Sequence, residues 1–186
     1  MKTINVWKAS IFALLFTALV PVALKAQDDD KKNELQQDAE KAKAEFIKSD
    51  DLMKNLFDNS IAYVIFPNVG KGAIGVGGAA GNGVLYEGGK VVGTSKLKQV
   101  SVGFQFGGQS YREVIFFENN EILEKFKRGD LQFSAEASAV AVTKGASGTV
   151  KFKNGVMVFT QEKGGLMYEA AIAGQHFSYK ALSARP

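Results

Sequence analysis

The pattern of apolar and polar positions changes character three times along the chain. Ile11 to Val20 is an unbroken apolar run. From Asn33 onward, Leu35, Ala39, Ala42 and Phe46 recur at helical spacing with Glu and Lys between them, which predicts an amphipathic helix. Ser49, followed by Asp50 and Asp51, reads as the N-cap of a second, short helix carrying Leu52, Met53, Leu56 and Phe57. Residues 33–58 are therefore expected as helices covering a sheet; direct membrane insertion is the competing use of such a stripe.

After Ser60 the period falls to that of strands. Ile61 to Phe66 is a buried run closed by Pro67-Asn68, and Val100, Val102, Phe104 and Phe106 alternate with small or polar residues. Glu113 to Phe117 is a solid apolar strand. Asn119 caps a helix over Asn120 to Lys127, which Gly129 ends. Four further strands are expected at Ser134 to Val142, Val150 to Phe152, Val156 to Phe159 and Leu166 to Ile172. Hairpins are expected around Gly81-Asn82-Gly83 and Glu87-Gly88-Gly89-Lys90.

Ten of the twenty glycines lie between Gly70 and Gly93, and Gly70/Gly72, Gly75/Gly77 and Gly81/Gly83 recur at a spacing of two. In a strand, residues two apart share a face, so one face is bare backbone that another backbone, a helix or an acyl chain can approach closely, while Ile74 and Val76 fill the other. Gly75 and Gly77 are the close-approach positions, and tight packing inside a sheet is the reading preferred for them. Repeated strand glycine also bends sheets. The fold class is accordingly α+β: N-terminal helices covering a strongly curved, glycine-rich antiparallel sheet or partly closed barrel, with one helix inserted between strands, in a domain over 59–182. Gly70-Lys71-Gly72-Ala73-Ile74-Gly75 matches G-x-G-x-x-G literally, but more glycine follows where a dinucleotide site needs a helix.

Composition and charge alter this picture at the N-terminus. Lys2 and Lys8 precede the apolar run and Ala26 follows it at a cleavage point, so residues 1–26 are expected to be a signal peptide and residues 27–32 (QDDDKK) a flexible acidic arm. The destination is then periplasmic or secreted; an uncleaved N-terminal anchor in the inner membrane is the alternative. The net charge of +4 falls to +1 without the three signal lysines, and it is segregated: residues 27–60 carry −4, residues 61–186 carry +5. That balance permits attraction to an anionic surface and lacks the basic stripe of a nucleic-acid binder. With no cysteine, no disulfide contributes and stability comes from packing or association, including a possible homo-oligomer.

No catalytic constellation, metal cluster or cofactor motif is legible. His176 is the single histidine, between Gln175 and Phe177, and its plain reading is a satisfied or exposed strand residue; a hydrolase built on it is the weakest alternative. Gly145-Ala146-Ser147-Gly148 is one residue short of a nucleophile elbow. The candidates that remain are Lys71, Lys90, Lys96, Lys98, Lys151 and Lys153, expected as an anionic-headgroup patch against the alternative of ordinary solvated lysines.

Four blocks then carry a resemblance: PNVGKGAIGVGGAAGNGVLYEGG, VSVGFQFGGQSYREVIFFENNEILEKF, SAEASAVAV and GVMVFTQEKGGLMYEAAIAG, in that order. Over about Asp51 to Tyr179 the chain resembles the SYLF lipid-binding domain family. The resemblance implies a lipid-binding module, phosphoinositide-binding and linked to membrane and actin remodelling in eukaryotic members. No SH3 or FYVE domain accompanies it here, so generic anionic phospholipid is the partner expected. Taken together, the expectation is a non-enzymatic exported lipid-binding protein at a bacterial envelope; the alternative is a structural or self-association module without a specific lipid.

Overall fold

A computed structural model of the chain describes residues 9–74, 76–101, 109–133, 138–141, 150–163, 169–172 and 174–182. Three helices and eight strands follow in chain order: α1 (Ala9–Ser49), α2 (Leu52–Asn59), β1 (Ala62–Ile74), β2 (Val76–Glu87), β3 (Lys90–Ser101), β4 (Gln109–Phe117), α3 (Asn120–Arg128), β5 (Ser138–Ala141), β6 (Val156–Glu162), β7 (Glu169–Ala171) and β8 (Gln175–Ala181). The fold class is α+β.

The strands form one sheet in the order β7-β5-β6-β4-β1-β2-β3-β8. Every neighbouring pair is antiparallel except β5 and β6, which run parallel, so the sheet is mixed and not purely antiparallel as expected. The central strands β1 and β4 are buried on both faces over Ala62–Phe66 and Glu113–Phe117. On the outer face Ala39, Ala42 and Phe46 of α1 and Met53 and Phe57 of α2 cover Tyr63, Ile65, Val84, Tyr86, Val114, Phe116 and Phe159. On the inner face α3 places Leu123 and Phe126 against Val64, Phe66, Leu85, Ile115, Phe117 and Phe177. Phe126 bridges strands far apart in the sheet, with ring centroids 5.0 Å from Phe117 of β4 and 5.1 Å from Phe177 of β8.

The strong curling or partial closure expected from the glycines gives way to an open sheet with β7 and β8 at its edges. With helices on both faces, the apolar surface is buried without the sheet having to close on itself. It does bend toward the inner face. Gln175 of β8 donates to Glu113 of β4 over 2.9 Å, although four strand spacings would hold those strands roughly 19 Å apart on a flat sheet.

Several local expectations change. Residues 27–32, expected as a flexible arm, continue α1. Ser49 ends α1, and Asp50 instead supplies the side chain that accepts from Leu52 N (3.1 Å), with Asp51 as the N-cap residue. β1 continues through Pro67, which sits where its register to both β2 and β4 shifts, because a bulge tolerates a residue that cannot donate to a ladder. Gly81-Asn82-Gly83 lies inside β2 and makes no turn. Val150 to Phe152 is not a strand; Lys153-Asn154-Gly155-Val156 forms the turn into β6, with φ of 52° at Asn154 and 79° at Gly155. By contrast α3 is capped as its sequence signals: Asn119 accepts from Ile122 N at 3.1 Å, and Gly129 takes the left-handed conformation, φ 78°.

The bare glycine positions on the inner face serve packing. A Cβ on Gly83 would stand 2.6 Å from the Phe66 ring, and one on Gly93 2.3 Å from the Tyr179 ring, so each glycine seats an aromatic from its neighbouring strand. Gly75 lies outside the described residues, and for Gly77 only its backbone pairing with Ala73 and Ser101 is described. Gly83→Val should cost roughly 1 to 3 kcal/mol by overpacking. Gly70→Val, whose Cβ meets nothing within 4 Å, should change stability by less than about 0.5 kcal/mol. Urea denaturation of the two variants measures both, and equal losses would contradict the packing assignment.

Candidate functional site

The helix layer on the outer face covers only part of it. α1 is held on the sheet by Lys43, whose ammonium donates to the Tyr63 hydroxyl (3.0 Å) and lies 5.1 Å from the Phe57 ring centroid, and by Tyr86, which donates to Glu40 Oε1 (2.8 Å). Burial and the Glu40 carboxylate push the Tyr86 phenol well above its ordinary range, keeping it a donor. Gln161 of β6 closes the layer's margin, donating to Glu45 O and Ser49 Oγ and accepting from Arg112.

In the two register rows next beyond Ile65 and Val84 the outer face carries no large apolar side chain. Directly opposed residues in antiparallel strands share a face, and the register defines two uncovered rows. One runs Asn68, Asn82, Lys96, Ser178 across β1, β2, β3 and β8; the next runs Ser110, Gly70, Ala80, Lys98, His176 across β4, β1, β2, β3 and β8. All nine are exposed. Lys180, exposed two positions beyond Ser178, extends the charge along β8, and Lys163 reaches the first row by donating to Asn68 Oδ1. Partial burial and the Arg112 guanidinium hold the Lys163 ammonium below its ordinary value, with Asp38 of α1 acting the other way.

The result is a shelf whose floor is glycine, alanine, serine and asparagine and whose charged members are all cationic. The same strands bury Leu97, Gln99, Gln175 and Phe177 on the inner face, so the alternation that aims Lys96 and Lys98 outward is fixed by the core beneath them.

Of the residues singled out in the sequence, the structure brings Lys96 and Lys98 together on this shelf. Lys90 is at the far end of β3, opposite Glu87, whose carboxylate holds Lys127 of α3 at 2.7 Å. Lys151 and Lys153 are exposed in the turn before β6, on a different part of the sheet. The single six-lysine patch is therefore not formed. Lys71 lies in β1, its side chain outside the described residues. His176 is an exposed strand residue directly opposite Lys98. Lys163, Lys180, Asn68, Asn82 and Ser178 were not anticipated; the alternation of His176, Ser178 and Lys180 with Phe177 and Tyr179 carried the signal for three of the shelf's residues. Among the described residues, no three His, Cys, Asp or Glu side chains gather to hold a metal ion.

Because Lys96 and Lys98 are exposed and unburdened by core contacts, Lys96→Glu with Lys98→Glu should leave the unfolding free energy within about 0.5 kcal/mol of the parent. A larger loss in urea denaturation would mean that the shelf is structural.

Residues 98–181 match a family model, Ysc84, described as Las17-binding protein actin regulator. The match runs from Lys98 in β3 to the end of β8, and over that span the SYLF resemblance is borne out. No curated protein matches the chain.

Proposed function

We propose that the protein is a non-enzymatic binding module that contacts anionic phospholipid through the shelf of β1, β2, β3 and β8. The observation that carries this reading is the pair of exposed rows: Lys96, Lys98 and Lys180 stand on a floor of residues too small to hold a headgroup away from the backbone. Each lysine near a charged membrane surface contributes about 1 kcal/mol, and the attraction is screened over about 10 Å at 0.1 M salt. The match to a family with lipid- and actin-related binding supports the same class of function. The segment Lys2 to Ala26, with its basic start and apolar run, supports export, so the membrane concerned is that of a bacterial envelope.

Co-sedimentation with phosphatidylglycerol and phosphatidylcholine vesicles tests this. Binding to the anionic vesicles should be the stronger and should fall with salt. Lys96→Glu with Lys98→Glu should weaken it by roughly 30-fold or more, the equivalent of two lysines at about 1 kcal/mol each. Lys90→Glu with Lys153→Glu should change it far less. Equal binding to both lipids regardless of salt, or an equal loss from both double variants, would refute the shelf as the contact.

A further inference from the structure

The inner face holds a group of polar side chains that neither the core nor the shelf requires. Glu113 is 0% exposed in β4, between Tyr111 and Ile115 on that face. Gln175 of β8, 1% exposed, donates Nε2 to Glu113 Oε2 over 2.9 Å. Thr160 of β6, 0% exposed, lies directly opposite Glu113, and Gln99 of β3, 7% exposed, directly opposite Gln175. Tyr111 closes the group, its phenol pushed above its ordinary range by burial and by the Glu113 charge, with a hydrogen bond to the Gln175 side chain acting the other way. Five polar side chains from four strands thus converge on a face that is otherwise mostly apolar. Burying them is costly unless each oxygen has a partner.

Two oxygens flanking the Glu113 carboxyl, Thr160 Oγ1 and Gln175 Oε1, are buried with no hydrogen-bond partner among the described residues. An amide carbonyl can be satisfied only by a donor or a cation, and a hydroxyl can offer its lone pair to either.

We propose that Glu113, Gln175 and Thr160 form a binding site for a hard, oxygen-seeking cation, of which calcium fits best. The donor set is all oxygen: a carboxylate, an amide carbonyl and a hydroxyl, with the Gln99 amide and the Tyr111 hydroxyl in the same group. Such a set excludes a preference for zinc or copper, which favour nitrogen and sulfur. Calcium accepts carboxylate and amide oxygens in irregular numbers and geometry, whereas magnesium demands a near-ideal octahedron and keeps much of its water. The three ligands come from β4, β6 and β8, so an ion there ties the sheet's edge strand to its centre across the bend. Occupancy would be read as resistance to unfolding.

The experiment follows thermal unfolding of the chelator-treated protein, without lipid, as calcium chloride is raised from about 0.1 to 10 mM, the span of weak protein calcium sites. Magnesium, sodium and potassium chlorides run in parallel. The expected result is a saturable rise in Tm with calcium, a smaller one with magnesium, and none with calcium in Glu113→Gln. Thr160→Val, which keeps the side chain's shape, should fold and should need roughly tenfold more calcium for the same rise; it decides the matter if Glu113→Gln does not fold. The proposal is overturned if no cation raises the wild-type Tm, in which case the group holds only water, or if either variant that folds responds to calcium as the wild type does.

Discussion

Everything in this fold answers to one constraint: β1 and β4 carry apolar side chains on both faces, and neither face can be left to water. Ala62 to Phe66 are all fully buried, as are Val114 to Phe116. Alternation sends Tyr63 and Ile65 to the outer face and Val64 and Phe66 to the inner. A strand of this kind needs cover twice over. The outer cover is α1 and α2, with Tyr63 and Tyr86 stacked at 4.9 Å beneath them. The inner cover is α3, a nine-residue helix that suffices because Phe126 meets Phe177 and Phe117 at once and the sheet bends to bring them there.

Where that demand ends, the sequence changes. Past the bulge at Pro67, outer-face positions on β1 and β2 become Asn68, Gly70, Ala80 and Asn82, and no helix covers them. The inner face of the same strands stays apolar, with Val69 and Ala79 still buried. One surface of a continuous sheet is thereby core on one side and open shelf on the other. The position of each shelf residue is set by packing it takes no part in.

Much of this was legible in the chain. The spacing of Leu35, Ala39, Ala42 and Phe46 gave the covering face of α1, and Asn119 with Gly129 bounded α3 to within a residue. What misled was glycine. Gly81-Asn82-Gly83 has the composition of a turn, yet Gly83 is in mid-strand because the Phe66 ring from β1 occupies the space of its side chain; that partner is seventeen positions away and local propensity does not register it. The same holds for the site. Lys96 and Lys98 are visible as alternating charges, but their union with His176, Ser178 and Lys180 depends on β8 pairing with β3 from nearly eighty residues away, and the separation of Lys151 and Lys153 from them depends on β6 joining the other side of β1 through β4.

The edge position of β8 has a consequence of its own. Over Gln175–Ala181 one side of this strand pairs with β3, while its other side meets no further strand among the described residues. Such a margin invites another strand to add, and charged side chains are a common deterrent. Here the deterrent is Lys180 with the neighbouring lysines of β3, which would repel a second copy approaching side by side. An anion that neutralised these lysines would remove that repulsion, so the same charges would govern both the approach of an anion and how closely two sheets can come together.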